Sequence, residues 1–145
     1  MVELSGVSFG YQSDKNVLDN LNLRMEEGRF YGLLGMNGSG KTTLLKLIAG
    51  KLFAHGGEIY VDGRNLRERD VETLQKVFML PADFIFPNMS LEQFLAIYSE
   101  FYPEFRKEVL NDCLVNFEIQ RDIKNLNQLS LGEKHKVAFS IALSL

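Results

Sequence analysis

The stretch GLLGMNGSGKTTLL, residues 32–45, decides the fold because it contains the pattern G-x-x-x-x-G-K-[ST]. Between a strand and a helix, this pattern forms a loop that holds phosphate groups. Glycines at positions 38 and 40 allow positive φ angles, so successive backbone N–H groups can turn toward one anion. The helix predicted to begin near Lys41 adds the positive end of its dipole.

The loop therefore predicts a nucleoside triphosphate and Mg²⁺ as ligands. Lys41 is expected to pair with the β- and γ-phosphates, and the Thr42 hydroxyl is expected to be a ligand of Mg²⁺. A glycine-rich turn with an incidental lysine is the alternative, and the flanking strand and helix disfavour it. The predicted nucleotide-binding residues in this stretch are Asn37, Gly38, Ser39, Gly40, Lys41, Thr42 and Thr43.

Charge and apolar composition limit the classes of function that this chain can have. The 145 residues carry a net charge of −3 and 24% charged side chains, which is typical of one globular domain. This acidic balance disfavours nucleic acid as a partner, because a phosphate backbone is bound by clustered basic groups. No run of 18 apolar residues is present, so a membrane role is expected to act through a partner. Neither histidine has metal-ligand spacing, and both are expected on a solvated surface.

Strand patterns dominate the first part of the chain. VELSGVSFGY (2–11) and NVLDNLNLRME (16–26) alternate apolar and polar residues, and GEIYVDG (57–63) ends in an Asp-Gly turn signal. The apolar run RFYGLLG (29–35) is predicted to be a buried parallel strand, and KVFMLP (76–81) is predicted to be another apolar strand.

Helical patterns follow. Ser90 and Gln93 predict a capping box before an apolar stripe, and Pro103 separates this helix from a second one. The final stretch, HKVAFSIALSL (135–145), is apolar on nearly every helical face and is expected to be buried on all sides.

From Val2 to Leu145 the chain resembles the front part of an ATP-binding cassette (ABC) ATPase, the nucleotide-binding subunit of ABC transporters. The resemblance rests on the order of SFGY, the phosphate loop, GGEIYVDG, VFMLPADFIFPNMSLEQFL and LSLGEKHKVAFSIAL. It implies an α/β P-loop NTPase fold with an N-terminal antiparallel β subdomain, an incomplete RecA-like core and a helical subdomain. The implied division is residues 1–89 for the β subdomain and loop, 90–129 for the helical subdomain, and 130–145 for the signature helix.

The resemblance assigns further residues. Tyr11 matches the aromatic that stacks on adenine, although a strand aromatic packed in the core is an alternative. LSLGE matches the signature motif LSGGQ, which contacts the γ-phosphate of ATP bound to a second copy; the matching residues are Ser130, Gly132 and Glu133. Ser130 and Glu133 also predict a capping box, and Glu133 is expected to point back at its own cap.

One position departs from the family. Where the family has a glutamine that touches Mg²⁺, this chain has Ala82 followed by Asp83. Asp83 is either a metal ligand through water or a solvated loop residue. The nearby Phe84 and Phe86 either grip a membrane subunit or pack against the helical segment.

The resemblance implies a cytoplasmic ATPase subunit that binds ATP and Mg²⁺, pairs with a second such subunit, and powers transport through a membrane permease. The sequence ends before the family's Walker B carboxylates, so this chain alone is not expected to hydrolyse ATP, and it is expected to be marginally stable or to self-associate. Asp62 does not replace them, because turn geometry explains it better. Two alternatives are a soluble ABC ATPase acting on macromolecules and a nucleotide-binding interaction module without hydrolysis.

Overall fold

The computed structural model describes residues 1–12, 14–82, 84–120 and 122–145. Its chain forms two compact units, Met1–Met79 and Leu80–Leu145, which are considered one at a time. The boundary after residue 89, given in the sequence analysis, stays a prediction. Leu80, Phe84 and Phe86 pack with the core of the second unit.

The first unit is built on a four-stranded antiparallel sheet in the order β2-β1-β3-β4. The strands are β1 (Val2–Phe9), β2 (Leu18–Met25), β3 (Gly56–Val61) and β4 (Arg64–Asn65). All three predicted antiparallel strands are thereby confirmed. Asp62 and Gly63 form the β3–β4 turn with φ angles of 50° and 78°, the left-handed pair that a two-residue hairpin requires.

Helix α1 (Lys41–Ile48) covers one face of this sheet's core, and α2 (Val71–Gln75) follows a 3₁₀ turn at Leu66–Glu68. Gly50 lies just past the end of α1 with φ 65°, the left-handed conformation in which many helices end. Apolar side chains from β1, β3 and α1 form one core; its buried members are Leu4, Val7, Phe9, Leu44, Leu47, Ile48, Ile59, Val61 and Leu66.

Two predictions of strands are wrong for this structure. Residues 29–35 and 76–81 have no strand conformation, and Phe30 and Leu34 are almost fully exposed. A parallel strand forms only where neighbouring strands satisfy its backbone N–H and C=O groups. Within the described residues, neither run is paired with another strand, so their apolar composition alone does not hold them in a sheet.

The second unit is helical. It contains α3 (Leu91–Tyr98), α4 (Lys107–Asn116) and α5 (Leu131–Leu143), with 3₁₀ turns at Ser99–Phe101 and Leu126–Gln128. None of the helices in the described ranges has the length and apolar character that crossing a membrane requires. The buried core gathers residues from all three helices and the segments between them; its members are Phe86, Leu91, Leu110, Leu114, Ile119, Ile123, Leu126, Val137, Ala138 and Ile141.

Both predicted capping boxes are present, Ser90 with Gln93 on α3 and Ser130 with Glu133 on α5. The expectation that α5 is buried on all sides is wrong. Phe139 and Leu143 remain about half exposed, while Val137 and Ile141 face the core. One face of α5 is therefore covered by α4 and its neighbours, and the opposite apolar face is open.

Candidate functional site

The phosphate-loop sequence adopts the backbone that its glycines permit. Gly38 and Gly40 have φ angles of 82° and 91°, in the left-handed region predicted for them. A Cβ at Gly35 would come within 2.7 Å of the Ser39 hydroxyl oxygen, so the loop closes tightly at that point. Asn37 lies in the exposed turn, which is closed by a 3.2 Å hydrogen bond from the Ser39 N–H to the Met36 carbonyl.

The Lys41 ammonium group lies inside this loop. Its Nζ donates 2.7 Å hydrogen bonds to the carbonyl oxygens of Gly35 and Met36. The lysine therefore turns back along the loop from the first residue of α1. A cation held by two weak carbonyl acceptors is free to exchange them for the stronger acceptor oxygens of a phosphate.

Helix α1 begins without a side-chain cap. Gly40 is its N-cap residue and no side chain in the described ranges accepts a hydrogen bond from its first turn, whereas Asp70, Ser90 and Ser130 cap α2, α3 and α5. The first N–H groups of a helix need an acceptor, and the dipole favours an anion there. Thr42 is exposed in this first turn, so its hydroxyl is accessible as a metal ligand.

Tyr11 lies beside the same turn. Its hydroxyl is 3.2 Å from the hydroxyl oxygen of Thr43, and its ring packs perpendicular to Phe9 with 5.1 Å between centroids. The tyrosine remains 62% exposed, so it is not the core aromatic that the alternative interpretation describes. The fold thus brings Tyr11 to the phosphate loop across 32 residues of sequence.

The signature-like residues lie at the start of α5 in the helical unit. Ser130, Gly132 and Glu133 are exposed, and an added Cβ at Gly132 would meet nothing within 4 Å. The Glu133 carboxylate turns back to its cap, as expected: it accepts hydrogen bonds from the Ser130 hydroxyl at 2.6 Å and from the Ser130 N–H at 2.9 Å. These bonds, from the hydroxyl first and the N–H second, hold the pKa of Glu133 below its usual value.

His135 is a residue that sequence reasoning misjudged. It is half-buried, its Nδ1 is 2.8 Å from the Leu131 carbonyl oxygen, and its Nε2 is 3.2 Å from the Ala82 carbonyl oxygen. The ring also packs edge-to-face with Phe84 at 5.8 Å. The histidine thereby ties the start of α5 to the position where the family pattern expects glutamine.

Two carboxylates, Asp62 and Asp83, were considered from the sequence as possible metal ligands. Asp62 is engaged by the Lys76 ammonium at 3.0 Å in its hairpin turn, which agrees with the structural role predicted for it. The prediction that Asp83 is a metal ligand falls on a residue outside the described ranges. Among the residues that the structure describes, no group of three His, Cys, Asp or Glu side chains could hold a metal.

Phe84 and Phe86, which the sequence left between two roles, both pack with the helical unit's core. Phe86 is 4% exposed, and its ring lies perpendicular to those of Phe84 and Phe94 at 4.8 and 5.4 Å. Ile85 between them is 84% exposed and is the apolar side chain that this segment leaves open.

Comparison with known proteins shows which family the chain resembles. The ABC transporter family model matches residues 18–145. The ABC transporter ATP-binding protein YtrB of Bacillus subtilis (strain 168) is 30% identical over 144 residues, which cover 99% of this chain and 49% of that protein. The chain therefore spans about half the length of this curated relative.

Solved structures show the same fold. An ABC transporter ATP-binding protein from Pyrococcus furiosus superposes with a TM-score of 0.82 at 32% identity, covering 99% of this chain and 70% of that one. The ATP-binding cassette MJ0796, a dimer in a post-hydrolysis state bound to ADP and Pi, gives 0.76 at 27% identity, covering 99% and 69%. The chain belongs to the ABC transporter family of ATP-binding proteins.

Proposed function

We propose that this chain is the ATP-binding part of an ABC transporter ATPase subunit, which binds ATP at the loop of residues 37–43 with adenine on Tyr11. The observation that carries the proposal is the meeting of Tyr11 with the first turn of α1, where Lys41 and an uncapped helix start also lie. A base platform beside a phosphate loop is what an adenine nucleotide needs.

Each residue of the loop has a distinct proposed role. Lys41 exchanges its bonds to the Gly35 and Met36 carbonyls for bonds to the β- and γ-phosphates. Asn37, Gly38, Ser39 and Gly40 supply the backbone that curves around the phosphates, and Thr43 adds a hydroxyl from α1. The uncapped N–H groups of α1 are satisfied by phosphate oxygens.

The residues also fit Mg²⁺, which supplies charge neutralisation at the phosphates. Thr42 offers an exposed hydroxyl oxygen at the start of α1, and hard cations prefer oxygen. Magnesium needs few protein ligands because nucleotide phosphates and water complete its shell. Asp83 is proposed as a further ligand through water, and its side chain falls outside the described residues.

The signature residues are proposed to act on a second nucleotide. Ser130 and Gly132 are exposed at the start of α5, where the helix dipole favours an anion. We assign them to the γ-phosphate of ATP bound by a second subunit, and Glu133 holds this helix start through its cap. The dimeric cassette MJ0796, with its ADP and Pi, supports this pairing.

Hydrolysis by this chain alone is not part of the proposal. Phosphoryl transfer to water needs a carboxylate for Mg²⁺ and a group that orients water. Asp62, the carboxylate that the sequence offered as a substitute, is held by Lys76 in its hairpin turn. The chain is proposed to bind ATP without turning it over at a useful rate.

We further propose a permease as the membrane partner, which places the subunit on the cytoplasmic face of the membrane. The similarity to YtrB, named as an ABC transporter ATP-binding protein, supports transport over DNA repair or translation. Co-purification from detergent-solubilised membranes tests this. Recovery with ribosomes or DNA instead would contradict it.

Calorimetric titration of the chain with Mg-ATP tests the binding proposal. Lys41→Ala is expected to abolish the binding heat, because it removes the cation inside the loop. Lys46→Ala is the matched control, since it deletes the same charge from the last turn of α1. Equal heats from all three proteins, or none from the parent chain, would contradict the proposed site.

A further inference from the structure

We infer that the Tyr11 hydroxyl is a positioning group: its bond to Thr43 fixes the aromatic platform against α1, so that base stacking and phosphate binding form one coupled site. The inference rests on the proposed ATP-binding function and adds a role for the hydroxyl that stacking alone does not require. A phenylalanine ring stacks equally well, so any benefit of tyrosine must come from its oxygen.

The bond joins an exposed side chain to a buried one. Thr43 is 5% exposed in the first turn of α1, whereas Tyr11 is 62% exposed, and their hydroxyl oxygens are 3.2 Å apart. The buried threonine cannot follow a moving tyrosine, so the bond fixes the distal end of the ring. The anchoring point lies two residues after Lys41, within the proposed phosphate site.

The proximal end of the ring is fixed independently. Phe9 is 6% exposed and meets Tyr11 at 88°, with centroids 5.1 Å apart. Edge-to-face geometry of this kind is favourable for aromatic pairs. Tyr11 is thus held at both ends while most of its surface remains open to a ligand.

A platform held in this way loses little conformational freedom when a base stacks on it. A free aromatic side chain must be immobilised during binding, which weakens the measured affinity. The net value of one hydrogen bond corresponds to a change of roughly 3- to 10-fold in the dissociation constant. The hydroxyl should therefore affect ligands that carry a base and leave those that carry only phosphates unchanged.

The test compares Mg-ATP with Mg-tripolyphosphate, which has the same phosphate chain and no base. For Tyr11→Phe we expect the dissociation constant for ATP to rise roughly 3- to 10-fold, with that for tripolyphosphate unchanged. Tyr11→Ala should weaken ATP further, because it also removes the stacking surface. Tyr11→Phe keeps the ring and its contact with Phe9, so it should stay folded and lose only the small stabilisation of one hydrogen bond in thermal unfolding.

A double-mutant cycle with Thr43→Val isolates the bond. Thr43→Val removes the partner hydroxyl and, as a proposed phosphate ligand, is expected to weaken both ATP and tripolyphosphate. In its background, Tyr11→Phe should have no further effect on ATP, because the bond is already lost. Additive effects, or an ATP affinity of Tyr11→Phe equal to that of the parent, would overturn the inference.

The experiment also separates this inference from the proposed function. If the parent chain binds neither ligand, the nucleotide site itself is refuted and the inference is refuted with it. If the parent binds both and Lys41→Ala binds neither, the site stands, and the Tyr11→Phe result alone decides the role of the hydroxyl.

Discussion

The Ser130 hydroxyl donates a 2.6 Å hydrogen bond to the Glu133 carboxylate, and the Glu133 N–H donates a 3.3 Å bond back to the same hydroxyl oxygen. The two residues therefore close the start of α5 on themselves. The same hydroxyl is the group that we propose for the phosphate of a second nucleotide. An incoming phosphate must compete with the Glu133 carboxylate for the hydroxyl proton of Ser130.

Removing the cap should destabilise the helical unit. Ser130→Ala deletes the hydroxyl that accepts from the Glu133 N–H, and loss of such an N-cap costs about 1 kcal/mol of unfolding free energy. Urea unfolding followed by circular dichroism measures the change. Ser130→Thr is the control, because threonine also caps helices and keeps the hydroxyl that donates to Glu133, so it should keep most of the stability. Equal loss in both variants would show that the cap is not the cause.

The same box should make stability depend on pH in the acid range. Hydrogen bonds from Ser130 lower the pKa of Glu133 in the folded chain. A carboxylate with a lowered folded pKa stabilises fully above its unfolded pKa of about 4.3, and this contribution disappears as the pH falls through the folded value.

Glu133→Gln tests this dependence, because glutamine also serves at this cap position but does not ionise in this range. Urea midpoints measured from neutral pH downward should fall less steeply for Glu133→Gln than for the parent. Other carboxylates, including Asp70, also have lowered pKa values, so the difference between the two proteins is the relevant quantity. Identical pH profiles would contradict the assignment.

The sequence was sufficient to predict elements whose hydrogen bonds join residues a few positions apart. It was also sufficient for strands in which apolar and polar residues clearly alternate. The two capping boxes, the Asp62–Gly63 turn and the positive φ angles of the loop glycines follow from residue type at each position. β1 and β2 follow from alternation, because one face of each strand packs on the core.

Other features depend on groups distant in sequence. The runs 29–35 and 76–81 have the composition of buried strands, but hydrogen-bonded neighbours decide whether a strand forms. His135 reaches a carbonyl oxygen 53 residues away, and the contact leaves no spacing pattern. Ala82 takes part only through its backbone carbonyl, so its residue type could not predict the contact with His135.

Gly40 should be less replaceable than Gly38. It has φ 91°, and an added Cβ would lie 3.0 Å from a methyl of Leu18 and 3.1 Å from one of Val17. Gly38 has φ 82° with nothing within 4 Å. Gly38→Ala should therefore cost only backbone strain, about 1–2 kcal/mol, and Gly40→Ala should cost more because the side chains must also shift.

Urea unfolding of the two alanine variants gives this ranking, and titration with Mg-ATP gives its effect on the site. A Gly40→Ala variant as stable as Gly38→Ala would show that Leu18 and Val17 accommodate the methyl group without cost.

The His135 contacts should stabilise the helical unit. His135→Phe keeps an aromatic ring against Phe84 but leaves the Leu131 and Ala82 carbonyls without their side-chain partner. A ring with one N–H donates to only one of these two carbonyl oxygens at a time, so one hydrogen bond is lost and the free energy of unfolding should fall by about 0.5–1.5 kcal/mol. His55→Phe is the control, because the His55 ring packs on Phe9 at 5.1 Å and, among the described residues, makes no side-chain hydrogen bond.

Hydrogen exchange should quicken in the first turn of α5 for His135→Phe alone. Equal stability of the two phenylalanine variants would mean that the contact with Ala82 contributes nothing to the fold.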